Sequence, residues 1–211
     1  MTAVIFDMDG VLVNNARFHE QAFAEYFSSY GITLAPEMHG RGNKELMEEL
    51  FPDESDERRI ELYRGKEEYY RKIYEPHIKP AEGLIDFLNE LKNADVRIAV
   101  GSSAPTENID FVLDRLNIRS FFDVTVNSDM VEKAKPAPDI YLKSAELLNI
   151  NPENCIVFED ALAGIESAKA AGMKVVGVAS SLPASQLSAT DRVIADFTEI
   201  NLDGIKQILT A

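Results

Sequence analysis

The residues most suited to chemistry in this chain are acidic, and they sit at the ends of apolar runs. Asp7 and Asp9 flank Met8 directly after Ala3-Val4-Ile5-Phe6, and Gly10 follows them. In an extended chain, residues two apart point to the same side, so the two carboxylates leave the strand together. Glycine then frees the backbone to turn. Asp-x-Asp-Gly is also an ordinary turn or cap sequence, and on its own it leaves both readings open. Ser102 follows the run 96–101, and Lys135-Pro136-Ala137-Pro138-Asp139 follows the run 124–127 after a short loop. Glu159-Asp160 follows the run 155–158. Each has a plain structural reading: a helix cap for Ser102, caps of the helix near Ala161 for the acidic pair, a solvated surface position for Lys135. Their shared place at strand ends favours chemistry over coincidence.

Five short apolar runs, 3–6, 96–101, 124–127, 155–158 and 175–178, with a weaker one at 193–195, are the candidate strands. They are near-continuous rather than alternating, as expected of parallel strands covered on both faces. Between them lie helical patterns: Leu84, Ile85, Phe87, Leu88 and Leu91; Ile109, Val112, Leu113 and Leu116; Tyr141, Leu142, Ala145 and Leu148. Another runs from Ile165 to Ala171 and closes at Gly172. This alternation implies a parallel α/β sheet with right-handed crossovers, which brings every strand C-terminus to one edge. A hydroxyl, an ammonium and the carboxylates then converge there.

One interval breaks the rhythm. Residues 14–78 hold helical stripes (Phe18, Ala22, Phe23, Tyr26 and Phe27; Leu46, Met47, Leu50 and Phe51; Ile60 to Ile73) and no convincing strand, with Pro76 and Pro80 marking the return. The expected fold is α/β: a three-layer Rossmann-like core of residues 1–13 and 79–211, with an all-helical cap, 14–78, inserted after the first strand. An insert at that point stands over the C-terminal strand ends, where open sheets bind ligands, and reads as a lid.

The chain has 211 residues with 21 Lys and Arg against 36 Asp and Glu, a formal net charge of −15. Such a surface repels nucleic acid and anionic membranes, so neither is an expected partner. An anionic substrate requires a locally positive site, which a metal ion with one or two lysines would build. No apolar run reaches the roughly 20 residues that span a bilayer, and no leader is evident before Ala3. The single cysteine, Cys155, suits a reducing compartment and excludes an internal disulfide framework. A soluble cytoplasmic monomer acting on a small molecule is the expectation.

Four ordered segments carry a resemblance that spans the chain: Val4-Ile5-Phe6-Asp7-Met8-Asp9-Gly10-Val11-Leu12, Val100-Gly101-Ser102-Ser103, Lys135-Pro136-Ala137-Pro138-Asp139, and Val157-Phe158-Glu159-Asp160-Ala161-Leu162-Ala163-Gly164-Ile165. With them the sequence resembles the haloacid dehalogenase superfamily, in particular its β-phosphoglucomutase-like branch. The resemblance implies phosphoryl transfer with Mg²⁺. Asp7 would attack phosphorus and form an aspartyl-phosphate. Asp9 would protonate the leaving oxygen and then deprotonate the incoming water or hydroxyl. Ser102 and the backbone N–H of Ser103 would hold phosphoryl oxygens, and Lys135 would offset charge. Mg²⁺ would sit on Asp7, the Asp9 carbonyl and Asp160, with Glu159 as an outer or occasional ligand. The metal and Lys135 would keep crowded carboxylates ionised.

Within such a family, Asp9 argues against a dehalogenase, which needs no proton donor two residues after its nucleophile. His19 matches a cap histidine of the mutases and also falls on the apolar stripe of its helix, so catalysis and packing stay open. The mutase pattern is broken elsewhere. Asn43 stands where a cap arginine is usual, although Arg41 is near. Ser103-Ala104-Pro105-Thr106-Glu107-Asn108 carries no lysine, and Asn14 and Asn15 replace the usual hinge residues. The resulting expectation is a phosphatase of small phosphomonoesters, with a β-phosphoglucomutase-type mutase second and a phospho-accepting signalling module remote. Arg41 and Asn108 are candidate substrate contacts, with plain surface exposure the competing reading of each.

Overall fold

Ala3–Phe6 (β1) is buried at every residue, which a strand achieves only inside a sheet covered on both faces. The computed structural model describes residues 1–32 and 43–210. β1 pairs in parallel with Arg97–Gly101 (β2) on one side and with Cys155–Glu159 (β4) on the other. Val124–Val126 (β3) extends the β2 side; Lys174–Val178 (β5) and Arg192–Ile194 (β6) extend the β4 side. The order is β3-β2-β1-β4-β5-β6. The chain therefore reverses its direction of travel across the sheet at β1 and β4, the switch point at which such sheets form a crevice.

The strand period sorts side chains to two layers. Phe6 meets Phe158 at 5.1 Å and Phe197 at 5.8 Å on one face, joined by Phe87 of Leu84–Asn93 (α4). Ala3 and Ile5 point to the other face, into a cluster with Ile140, Tyr141, Val157 and Ile165. Asp139–Leu148 (α6) and Leu162–Ala170 (α7) cover that face. Each fully buried Ile, Val or Phe contributes about 1.5–3 kcal/mol. Asp7 shares the parity of Ile5, so it leaves β1 on the α6–α7 side.

Two helices complete this layer structure. Thr106–Arg115 (α5) follows β2, and Leu202–Thr210 (α8) closes the chain. The sequence reading overlooked α8, although Leu202, Ile205 and Ile208 recur at helical spacing and Asn201 Oδ1 accepts from Gly204 N at 3.0 Å.

The chain divides into two compact units, Met1–Asn14 with Lys79–Ala211, and Asn15–Ile78. The second is helical: Ala16–Phe27 (α1), Asn43–Leu50 (α2) and Asp56–Tyr74 (α3). Its core holds Phe23, Phe27, Leu46, Met47, Phe51 and Leu62. In α3, Ser55 Oγ accepts from Arg58 N, acidic residues occupy the first turn, and Arg71 and Lys72 the last, as the helix dipole favours. Two details depart from the sequence reading. Ile60, placed on the apolar stripe, is 50% exposed. The charges of Arg58–Lys72, with their interleaved tyrosines, read from the sequence as a solvated helix, yet Lys66 and Glu67 are buried and paired, because Lys66 occupies the Leu62–Tyr70–Tyr74 stripe at spacing four.

Among the described residues no helix is long and apolar enough to cross a membrane.

Candidate active site

At the C-terminal edge of the central strands, Asp7 follows Phe6 and its N–H donates to the Phe158 carbonyl at 3.0 Å. Phe6 and Phe158 are register partners, so Asp7 and Glu159 come next, side by side on the α6 face. Beyond Asp7 the chain turns at once: Val11, Leu12 and Val13 N–H groups all donate to the Met8 carbonyl, and Gly10 N donates to the Val13 carbonyl. Gly10 adopts φ +79°, and a Cβ there would overlap the Asp160 carboxylate. Glycine is required both for the turn and for the approach of the two loops.

Lys135 lies at the centre of the site. Its Nζ donates to Asp7 Oδ1 at 2.6 Å, to Glu159 Oε1 at 2.7 Å and to the Gly101 carbonyl at 3.3 Å. The side chain is 9% exposed, which excludes the solvated-surface reading. Tyr141 of α6 donates its hydroxyl to the same Glu159 Oε1 at 2.8 Å, and its ring lies 4.8 Å from Nζ, a cation–π distance. Glu159 Oε2 accepts from the Asp160 and Ala161 N–H groups at 2.9 and 3.0 Å. One Glu159 oxygen thus holds the turn that leads into α7, whose N-cap Ala161 has no side-chain cap, while the other serves the lysine. Both Glu159 oxygens are engaged by protein donors. Gly164 of α7 makes room for this carboxylate, since a Cβ there would overlap it.

Electrostatics follow from this crowding. Burial above all pushes Asp7 well above the usual carboxylate range; Lys135 pulls it back, while Glu159, Asp160 and Asp9 push it further up. Asp160 rises to about 7, from burial first and then Glu159, with Ser181 and Lys135 opposing. Burial works to lower Lys135, but Asp7 and Glu159 outweigh it and hold the ammonium well above its ordinary value. Burial and Glu159 raise Tyr141 as well, so its hydroxyl stays a donor. One ammonium does not balance this many carboxylates.

The imbalance and the donor chemistry fit a small hard cation. Asp7 Oδ2 and Asp160 Oδ1 carry no hydrogen bond among the described residues, and every nearby donor is oxygen. Oxygen donors of this kind fit Mg²⁺, which keeps several waters and takes few protein ligands. Among the described residues no group of three His, Cys, Asp or Glu side chains is arranged to hold a metal ion by itself.

The other expected residues divide. Ser102 is buried, its N–H donates to the Val126 carbonyl at 3.0 Å and its Oγ accepts from Ala104 N at 3.2 Å. It caps no helix, because α5 begins later, and its hydroxyl proton can turn to a ligand. Ser103 is half-buried in the bend that follows, and Asp9 is half-buried in the turn. Asn108 is fully buried in α5, which corrects the surface reading. His19, in the helical unit, is stacked on Tyr70 at 3.7 Å, with Asn15 Nδ2 3.4 Å from its Nε2. Arg41 lies outside the described residues, as does the Asn43 side chain.

Sequence reasoning missed Tyr141 as a polar group and missed Ser180 and Ser181 altogether. Ser181 Oγ donates to Asp160 Oδ2 and Ser180 Oγ to the Gly10 carbonyl. Two serines after β5 were the only signal, and serines in loops are common.

Residues 4–178 match the family described as Haloacid dehalogenase-like hydrolase. The chain is 35% identical over 192 residues to the Phosphorylated carbohydrates phosphatase of Thermotoga maritima, covering 86% of this chain and 87% of that one. It is 30% identical over 217 residues to the Beta-phosphoglucomutase of Bacillus subtilis, covering 96% and 93%. A solved HAD hydrolase, family IA, variant 3, from Entamoeba histolytica superposes with TM-score 0.90 at 29% identity over 100% of both chains. With the fold, the ordered motifs and these relatives in agreement, the chain belongs to the haloacid dehalogenase-like hydrolases.

Proposed function

We propose that this chain is a Mg²⁺-dependent phosphohydrolase of small phosphomonoesters, sugar phosphates foremost, working through an aspartyl-phosphate on Asp7. The observation that carries the reading is the split use of the Asp7 carboxylate. Oδ1 is held by Lys135 at 2.6 Å, while Oδ2, at the switch-point edge of the sheet, has no hydrogen bond among the described residues.

In the first step the Asp7 carboxylate attacks phosphorus, and the bond from phosphorus to the ester oxygen breaks. Asp9, the half-buried carboxyl two residues on, gives its proton to that oxygen. Asp9 then takes a proton from water, whose oxygen attacks phosphorus and releases Asp7. Lys135 holds Asp7 in place and faces the charge that develops on the phosphoryl oxygens, where such reactions gain most of their acceleration. The Ser102 hydroxyl and the amide of Ser103 donate to those oxygens. Asp7, the Asp9 carbonyl and Asp160 would hold Mg²⁺, which would supply further positive charge and orientation.

The insertion of the helical unit Asn15–Ile78 directly after the Asp9 turn supports a part for it in choosing the ester, with Arg41 as its candidate substrate contact. His19 serves there as a packed residue, which its stack on Tyr70 supports.

The similarity to the Bacillus mutase keeps a second reading, phosphosugar isomerisation, in play. The segment after Ser102 offers no lysine for a second phosphate, and Asn108 is buried, so hydrolysis is favoured. The experiment is Mg²⁺-dependent phosphate release across sugar, polyol and nucleoside phosphates and pyrophosphate. Conversion of β-glucose 1-phosphate with a bisphosphate primer is followed in parallel. Efficient isomerisation with little phosphate release would replace hydrolase by mutase.

A further inference from the structure

Three loop ends interlock at the edge of the sheet. Ser181, in the loop after β5, donates its hydroxyl to Asp160 Oδ2, after β4. Its neighbour Ser180 donates to the carbonyl of Gly10, in the turn after β1. Asp160 is 5% exposed, and the Cβ that Gly10 lacks would overlap the Asp160 carboxylate. The carboxylate thus cannot rotate freely, and one of its two oxygens is occupied by a protein donor.

We infer that Ser181 is a positioning residue that makes Asp160 a one-oxygen ligand and so tunes the site for Mg²⁺ over Ca²⁺. The inference rests on the Mg²⁺ reading given under the proposed function. Ca²⁺ accepts six to eight oxygens, readily including both from one carboxylate, at about 2.3–2.6 Å. Mg²⁺ demands near-octahedral geometry at about 2.0–2.1 Å. A carboxylate with Oδ2 held by a hydroxyl offers Oδ1 alone, which meets the second requirement and frustrates the first. Outer-shell hydrogen bonds of this kind typically set metal affinity by about 10- to 100-fold.

The test is calorimetric titration of the full chain with Mg²⁺ and, separately, with Ca²⁺, without substrate. Ser181→Ala is expected to weaken Mg²⁺ binding by about 10- to 100-fold and Ca²⁺ binding less, so that the Mg²⁺/Ca²⁺ preference falls. Ser181→Thr, which keeps the donor, is expected to restore the preference. Ser181→Cys, nearly isosteric but a weak donor, is expected to lose it in a chain whose circular dichroism matches the wild type, whether or not the alanine variant folds. Unchanged Mg²⁺ affinity in Ser181→Ala or Ser181→Cys overturns the inference, and so does an equal loss for both cations. A wild-type chain that binds no Mg²⁺ overturns the inference and the Mg²⁺ reading together, which separates the two failures.

Discussion

The two units of this chain treat buried charge in opposite ways. In the sheet unit, Asp7, Glu159, Asp160 and Lys135 are buried together on loop ends and strand ends, where each oxygen is either bound by a named donor or left open in a defined direction. In the helical unit, Lys66 and Glu67 are adjacent on one helix, buried as a pair among aromatic rings. The first arrangement concentrates like charge and is poised to take a cation. The second is self-neutral. A surplus of one sign at a strand edge marks chemistry, whereas a matched pair on a helical stripe is explained by packing.

The largest expected effect comes from the sheet unit. Asp7→Asn removes the attacking oxygen and is expected to cut kcat by about 10⁴- to 10⁶-fold while circular dichroism stays unchanged. Turnover near the wild-type level, with deamidation excluded by mass spectrometry, would break the assignment. Next is Lys135→Ala, for which a kcat loss of about 10²- to 10³-fold is expected. It also strands two buried carboxylates, so chemical denaturation is expected to show a loss of about 3–5 kcal/mol.

Much of this site was legible from the sequence because its parts follow strands directly. Asp7, Ser102 and Asp160 lie within a residue or two of apolar runs, and a parallel sheet gathers them regardless of detail. What escaped were contacts that depend on how closely loops approach. Ser181 reaches Asp160 only because Gly10 has no side chain, and Glu159 reaches Lys135 because Gly164 leaves room for its carboxylate and Tyr141 donates to it. Asn108 looked exposed because a polar residue among Glu107 and Asp110 gives no hint of the covered face of α5. Lys66 was misread for the same reason: charge-rich helices hide which stripe is buried.

A smaller, signed effect concerns pH. Asp160 rises to about 7 in the folded chain against an ordinary value of 3.8, so the folded state binds the extra proton between those values. Its contribution to stability is complete below about pH 4 and is lost as pH rises through about 7. Metal-free protein is therefore expected to melt lower at pH 8 than at pH 5.5. Asp160→Asn should reduce that drop, with a higher Tm than wild type at pH 8 by roughly 2–4 °C per kcal/mol relieved. An unchanged pH slope in the variant would show that the crowding is not felt there.

The helical unit is expected to yield less. His19→Ala removes the stack on Tyr70 at 3.7 Å and should cost about 0.5–1.5 kcal/mol of stability, with kcat falling less than about 10-fold. A drop of about 10²-fold or more, the range of a general acid or base, would move His19 from packing to chemistry and erase the contrast between the units. Smallest of all, Cys155 is buried and its thiol is pushed up to about 11, so native protein at neutral pH should resist thiol reagents.

The central claim is that Asp7 carries the phosphoryl group. Borohydride added during turnover of a sugar phosphate with Mg²⁺ reduces an acyl phosphate to the alcohol, and peptide mass spectrometry then locates it. The expected result is conversion of Asp7, dependent on substrate and on Mg²⁺, with Asp9, Glu159 and Asp160 intact. Reduction at another carboxylate, or none at Asp7 while phosphate is being released, would contradict the account.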